Sequence, residues 1–456
     1  MKRSAYTAVC AGVLFPLHEA AKGHDSVARL RALQTSQWWS ADRLRETQFA
    51  RLKQFLQTAR DRVPYYREAF AQRGFAPDRM QGLADIAKLP LLTKALIRAN
   101  ADRLKADGAS ALKRYNTGGS SGEPLVFYIG RDRRSHDVAA KWRATRWWDV
   151  DIGDPEIVVW GSPIELGAQD RIRQWRDRLL RSELLPAFDM SATRLDEFVA
   201  HIRARRPRML FGYPSSLALI ALHAEKQGVA MNGLGIRVAF VTSERLYDDQ
   251  RATIQRVFGC PVANGYGGRD AGFIAHECPS GGMHISAEDI VVETVGPSGA
   301  PVAAGEAGEI VVTHLATGDF PFIRYRTGDI GVLDQRTCVC GRGLPLLKEV
   351  QGRATDFVVA SDGTIMHGLA LIYVVRDLPG IDTFRIVQET IERTRVLVVP
   401  GPGFEPAIRG RIEAGLKQRL GGSVDVSVEL VDSLPREASG KFRYVQSQVA
   451  QPALTV

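Results

Sequence analysis

Two spacings of apolar residues divide this chain. Between residues 26 and 75, Phe49, Leu52, Phe55 and Leu56 recur at helical spacing, which predicts helices there. Val63-Pro64-Tyr65-Tyr66 interrupts the pattern. Leu89-Pro90-Leu91-Leu92 then leads into another helix, with Thr93 as its N-cap. From about residue 135 short apolar runs alternate with helical stretches. Glu156–Trp160, Met209–Gly212 and Val238–Thr242 read as buried strands, and a helix follows each of the last two. Alternation of this kind predicts a parallel α/β sheet. Ligands of such sheets lie beyond the carboxyl ends of the strands. Gly161-Ser162, Gly212-Tyr213-Pro214-Ser215 and Thr242-Ser243-Glu244 fall there. The last hundred residues read as a small α+β unit, with strands at Thr383–Gln388, Arg395–Val399 and Val424–Val431 and helices near 367–377 and 404–420. The boundary is placed near Gly352. The chain shows no internal repeat and no low-complexity tract.

A length of 456 residues suggests two domains. With 45% apolar and 24% charged residues, the composition is that of an ordinary globular protein. The excess of 60 Lys+Arg over 51 Asp+Glu fits a polyanionic ligand such as ATP or CoA. Nucleic acid and an anionic membrane would fit it too, but the basic residues are spread rather than clustered. Arg131–Arg134, Arg171–Arg181 and Arg203–Arg208 read as solvated helix faces. The stretch Met1–Pro16 has the outline of a signal peptide. Its apolar part is short, and an N-terminal helix is the better reading. No apolar run is long enough for a membrane span. Five cysteines, three of them late in the chain, suit a reducing compartment, so a cytoplasmic protein is expected.

Thr117-Gly118-Gly119-Ser120-Ser121-Gly122-Glu123-Pro124 is the most informative segment. Its glycines let backbone N–H groups converge on an anion, and Thr117, Ser120 and Ser121 add hydroxyl donors. Leu125–Ile129 follows as a strand, so the loop is expected inside a hairpin. The closing Gly-Lys-Ser/Thr of a Walker loop is absent, which argues against a phosphoryl-transferring kinase or NTPase.

Four further motifs follow in order: Tyr266-Gly267-Gly268-Arg269-Asp270, Tyr325-Arg326-Thr327-Gly328-Asp329, Gly352-Arg353-Ala354-Thr355-Asp356 and Pro435-Arg436-Glu437-Ala438-Ser439-Gly440-Lys441. From about Gln37 to Tyr444 the set resembles the adenylate-forming superfamily of acyl-CoA synthetases. Within it the chain is similar to the phenylacetate–CoA ligase group, especially CapK-like members associated with surface polysaccharide genes. The resemblance implies a large α/β domain with parallel or mixed sheets and a small mobile C-terminal α+β domain. The parts would be 1–110 (helical), 111–352 (ATP and acid binding, with a candidate zinc site) and 353–456 (lid).

The resemblance also implies roles. Thr117–Gly122 would hold the β- and γ-phosphates. Asp270 would bind Mg2+, although most relatives carry Glu there; otherwise it caps a helix after the loop. Asn264, Gly265, Tyr266 and Gly267 would line the adenine or acyl site. Asp329 would accept both ribose hydroxyls, a task suited to an acceptor-only carboxylate; otherwise it marks a strand-end turn. Arg326 and Arg324 either approach phosphate or pair with acids. Arg353 would reach the ribose or phosphate from the domain boundary, and Asp356 sits at the family's hinge. Lys441 would bridge the α-phosphate and the acid, leaving when the small domain rotates. Trp160, Phe211, Tyr213 and Tyr266 could line an acid pocket, although such residues are more often core.

Cys278, His284, Cys338 and Cys340 make a candidate tetrahedral Zn2+ set, closed and therefore structural. His276 is a spare candidate, and similar residues occur in zinc-bearing members of the group. Cys10 and Cys260 have no evident partners.

The leading expectation is an ATP-dependent carboxylate ligase. It would form an acyl-AMP and pass an aromatic acyl group to the CoA thiol, as a monomer or homodimer without nucleic acid. An amine, a sugar or a carrier-protein thiol is the alternative acceptor. A zinc-stabilised binding protein without catalysis is the alternative of another class.

Overall fold

A computed structural model describes residues 4–116, 125–160, 176–187, 190–353, 357–376, 378–435 and 442–449. The N-terminal residues form helices, Ala5–Val9, a π-helical Cys10–Leu14 and Phe15–Ala21. They bury Cys10 and Phe15 against Leu30, Leu33 and Trp142. The helix Ala41–Arg62 starts where the Ser40 hydroxyl accepts from the N–H of Arg43. Leu44, Leu52, Phe55, Leu56 and Ala59 form its buried stripe. It ends because Pro64 holds Val63 in an extended conformation and then serves as the first residue of Pro64–Gln72. Thr93 caps Lys94–Ala99 as expected, accepting from the N–H of Leu96. The segment before it is scaffold: Leu92 exchanges backbone hydrogen bonds with Arg324 and Arg326.

The strands are β1 (Lys113–Asn116), β2 (Val126–Ile129), β3 (Glu156–Trp160), β4 (Ser182–Pro186), β5 (Met209–Gly212), β6 (Val238–Thr242), β7 (Val262–Gly268), β8 (Gly272–Glu277), β9 (Met283–Ile285), β10 (Ile290–Val295), β11 (Ala307–His314), β12 (Phe322–Asp334) and β13 (Leu346–Arg353). The small C-terminal part adds β14 (Phe357–Val359), β15 (Ile365–His367), β16 (Ile381–Gln388), β17 (Arg393–Pro400), β18 (Asp425–Leu430) and β19 (Val445–Ser447).

The principal sheet runs β4-β3-β5-β6-β7-β8-β9-β13-β12-β11-β10. From β4 to β7 it is parallel, as the alternating pattern predicts. Beyond β7 every pairing is antiparallel, so the sheet is mixed. The seam between its halves is narrow: β9 and β13 pair only through His284 and Leu346. Helices Ala192–Arg205, Pro214–Lys226 and Asp248–Phe258 cover the parallel half, sharing a core with β3, β5 and β6. Helices Ala41–Arg62 and Pro64–Gln72 and the antiparallel half share a second core. Residues from Val358 to Val445 form a third, around the sheet β18-β17-β16-β19 and helices Leu369–Arg376 and Ala407–Leu420. Among the described residues, no helix is long and apolar enough to cross a membrane.

One reading of the charges is corrected. Arg133, in the helix Arg131–Arg146, is not a solvated residue but 1% exposed. Its partners lie in the site described next.

Candidate functional site

β1 and β2 pair antiparallel, with Asn116 opposite Val126. The segment Thr117–Pro124 joins them, as the hairpin reading requires. Thr117, Gly118, Gly119, Ser120, Ser121 and Gly122 themselves lie outside the described residues, as do Gly161, Asp356 and Lys441.

The motif Tyr266–Asp270 forms the end of β7 and its turn into β8. No helix follows Asp270, so it does not cap one. Its Oδ1 accepts from the N–H of Ala271 at 3.0 Å, and its Oδ2 accepts from the Tyr325 hydroxyl at 2.6 Å. Gly267 is required by crowding, because a Cβ there would collide with the carbonyl of Gly272. Gly265 is crowded in the same way, with a Cβ landing 2.8 Å from the Phe240 ring. Asn264 donates its N–H to Glu277 at 2.8 Å.

Asp329 lies within the long β12, not at a strand end. Its Oδ2 accepts from the Tyr266 hydroxyl at 2.9 Å. Its N–H donates to the Thr327 hydroxyl at 3.1 Å, and Thr327 in turn donates to the carbonyl of Ile310. Burial, and then the Asp329 charge, push the Tyr266 phenol well above its ordinary pKa, so it stays a donor. The two motifs share the spacing Tyr-x-x-x-Asp, and each tyrosine grips the other motif's aspartate. Tyr325 carried no assignment from sequence, although the repeated spacing was a visible signal.

Arg353 stands opposite Asp329 in the pairing of β12 with β13. Arg326 gives its Nε to Glu309 at 2.8 Å, and Glu309 also accepts from the N–H of Gly328 at 3.2 Å. The pair braces the backbone that leads to Asp329. Arg324 is buried and pairs with Glu293 while donating to the carbonyls of Ala87 and Leu89. It therefore pairs with an acid. Trp160 stacks on Tyr213 with ring centres 4.4 Å apart. Phe211 and Tyr213 are buried, in keeping with a core role.

At the carboxyl end of β6, Ser243 adopts a left-handed conformation with φ of 71°. Glu244 beside it accepts from the N–H of Ser215 at 3.2 Å and from the N–H of Phe442 at 2.9 Å. One carboxylate thus ties the α/β part to the residue after Lys441. Arg376 meets Asp249 at 2.8 Å, and Tyr247 packs edge-on against Tyr444, across the same joint.

Cys278, His284, Cys338 and Cys340 converge at the seam of the sheet, with their ligand atoms all within 4.8 Å of one another. The sulfurs of Cys278 and Cys338 are 3.7 Å apart, and the Cys340 sulfur is 3.2 Å from His284 Nε2. Tetrahedral zinc with bonds of about 2.3 Å to sulfur separates two thiolates by about 3.8 Å, so the donors fit that ion. His284 Nδ1 lies 3.3 Å from the carbonyl of Leu344. That contact fixes the tautomer that leaves Nε2 as the ligand atom. Burial lowers the His284 pKa to about 4, which keeps the ring neutral. His276 is not part of the cluster. Its ring packs against Phe240 and Phe273.

Comparison with known proteins is consistent along nearly the whole chain. The CapK C-terminal domain family matches residues 358–448. Protein CapK of Staphylococcus aureus is 24% identical over 408 residues, 89% of each chain. Phenylacetate-coenzyme A ligase of Thermus thermophilus is 24% identical, covering 89% of this chain and 96% of its own. The Escherichia coli enzyme of that name is 28% identical, over 70% and 73%. Among solved structures, 2-hydroxyisobutyryl-CoA ligase in its postadenylation state superposes with a TM-score of 0.74 over 91% of both chains, at 22% identity. The same ligase in its thioesterification state gives 0.61.

Proposed function

We propose that this chain, an AMP-forming ligase like its phenylacetate-coenzyme A ligase relatives, activates an aromatic carboxylic acid as its adenylate and transfers the acyl group to the CoA thiol. The observation that carries the reading is the reciprocal grip of Tyr266 on Asp329 and of Tyr325 on Asp270. It brings two carboxylates close together, and this reading gives Asp329 to the ribose and Asp270 to the metal. Aromatic acid and CoA are taken from the names of the phenylacetate-coenzyme A ligases.

In this reading Asp329 accepts the ribose hydroxyls, and Asn264, Gly265, Tyr266 and Gly267 flank the adenine or the acyl group. Thr117–Gly122 receives the β- and γ-phosphates. Asp270 uses both carboxylate oxygens to accept hydrogen bonds, and each oxygen retains a lone pair. That suits Mg2+ held directly or through water. Bound there, Mg2+ would neutralise charge on the phosphate oxygens. Arg353 and Lys441 supply cations, Lys441 between the α-phosphate and the attacking acid. Cys278, His284, Cys338 and Cys340 hold structural Zn2+.

The test is ATP–pyrophosphate exchange against aromatic, fatty and amino acids, with Lys441→Ala as the blank. Exchange dependent on aromatic acids is expected. Exchange with only another class would replace the substrate, and ATP binding without exchange for any acid would favour a zinc-stabilised binding role. The match of the small domain to the CapK family supports a second reading of the acceptor. There an amine, a sugar or a carrier-protein thiol takes the acyl group, and thioester formation with CoA would fail while exchange persisted.

A further inference from the structure

We infer that Arg133 is a positioning residue for Asp270, holding the turn that carries this carboxylate in register with the hairpin of the phosphate loop. The inference rests on the proposed role of Asp270 at the metal. Arg133 is 1% exposed. Its Nη1 donates to the carbonyl of Asp270 and its Nη2 to the carbonyl of Arg269, both at 3.3 Å. Its Nε faces the two Asp137 oxygens at 3.0 Å. Behind Asp137 stand His136 Nδ1 at 3.4 Å and His314 Nε2 at 3.9 Å. The packing under the turn is tight. A Cβ on Gly272 would lie 2.9 Å from the His314 ring and 3.0 Å from Arg133 Nη2.

A buried guanidinium is a costly way to fill space, since apolar replacements of buried ion pairs are often neutral or stabilising. What Arg133 adds is direction. Its planar fork reaches two successive carbonyls while Asp137 fixes its orientation, and a lysine has no such fork. The grip also has a second end. Arg269 donates from Nη1 to the carbonyl of Asn116 at 3.2 Å. Asn116 ends β1, and Arg133 follows β2 by a few residues. The turn bearing Asp270 is therefore tied to both strands that flank Thr117–Pro124. Tyr325 holds the carboxylate itself. Together these contacts fix the metal-side oxygens relative to β1 and β2, as outer-shell partners of a metal ligand do.

The same cluster of His136, Asp137 and His314 brings three potential ligand atoms together. The guanidinium already against Asp137 opposes a divalent cation there, and the arrangement serves orientation instead.

The experiment is calorimetric binding of ATP with and without Mg2+ to the full chain, which needs no knowledge of the acid. The wild type should bind ATP more tightly with Mg2+, and Asp270→Asn should abolish that preference. Arg133→Lys should lower the Mg2+ preference about tenfold, leave metal-free ATP affinity unchanged, and be rescued by excess Mg2+. Asp137→Asn, which leaves the guanidinium in place but loosens it, should shift the Mg2+ titration the same way and serves if Arg133→Lys melts. An unaltered Mg2+ preference in a folded Arg133→Lys or Asp137→Asn protein overturns the inference. So does an equal loss of affinity with and without Mg2+, which marks a packing role. No Mg2+ preference in the wild type, or a preference that survives Asp270→Asn, overturns the reading of Asp270 itself and the inference with it.

Discussion

Tyr266 donates its hydroxyl proton to Asp329 across 2.9 Å, although three strands separate β7 from β12 in the order of the sheet. On a flat sheet four steps of about 4.8 Å would hold those strands about 19 Å apart. The hydrogen bond therefore requires the sheet to curve between β7 and β12, a span that includes the narrow pairing of β9 with β13 beside the cysteine–histidine cluster. That curvature brings each aspartate within reach of the other motif's tyrosine.

Removing the hydroxyl tests this contact. Tyr266→Phe should weaken ATP binding about fivefold, the effect of about 1 kcal/mol from one hydrogen bond to a partly solvated carboxylate. Calorimetry with ATP measures it. Unchanged affinity would mean that Asp329 needs no support from Tyr266, or does not touch the nucleotide.

Zinc should copurify at about one ion per chain, the stoichiometry of a closed four-ligand site. Cys338→Ser should lose it and melt at a lower temperature, because binding free energy at such a site is folding free energy. Elemental analysis and thermal melting of both proteins check this. Native protein free of zinc would refute the site.

Lys441→Ala should abolish ATP–pyrophosphate exchange and spare thioester formation from preformed acyl-adenylate. Loss of a cation between two anions commonly costs about a hundredfold or more. If both half-reactions fall equally, the small domain does not work in two arrangements.

Glu244→Gln removes the charge that faces the N–H of Phe442 and the N–H of Ser215. Hydrogen exchange at Phe442 should then quicken, with the interior strands β5 and β6 unaffected. Exchange of Phe442 at the wild-type rate would show that the joint is held by Arg376 with Asp249, and by Tyr247 with Tyr444, without Glu244.

A collision argument applies to Gly267. Gly267→Ala places a methyl against the carbonyl of Gly272, so the β7–β8 hairpin must open. A thermal midpoint lowered by several degrees, the effect of about 1–3 kcal/mol of overpacking, is expected. A variant as stable as the wild type would contradict this geometry.

The sequence alone determined the features that depend on near neighbours. The buried stripe of Ala41–Arg62, the stop at Pro64, the cap at Thr93 and strands β3, β5 and β6 are local consequences of side-chain period and backbone chemistry. The ordered motifs also singled out both aspartates, and the spacing of cysteines and histidine singled out all four residues of the cluster, before any contact was known. Only the tertiary structure decided which of these meet. Spacing placed Arg133 on a solvated face, but the turn of β7 into β8 packs over it and supplies two carbonyls. Sequence left Arg326 between a phosphate and an acid, and Glu309 on the neighbouring strand supplies an acid. His276 stands opposite His284 in the strand pairing, but aromatic packing draws its ring away from the sulfurs. Periodicity records how a residue sits within its own helix or strand. Contacts across the folded sheet depend on curvature and on which strands pair, and those are set by the packing of the whole.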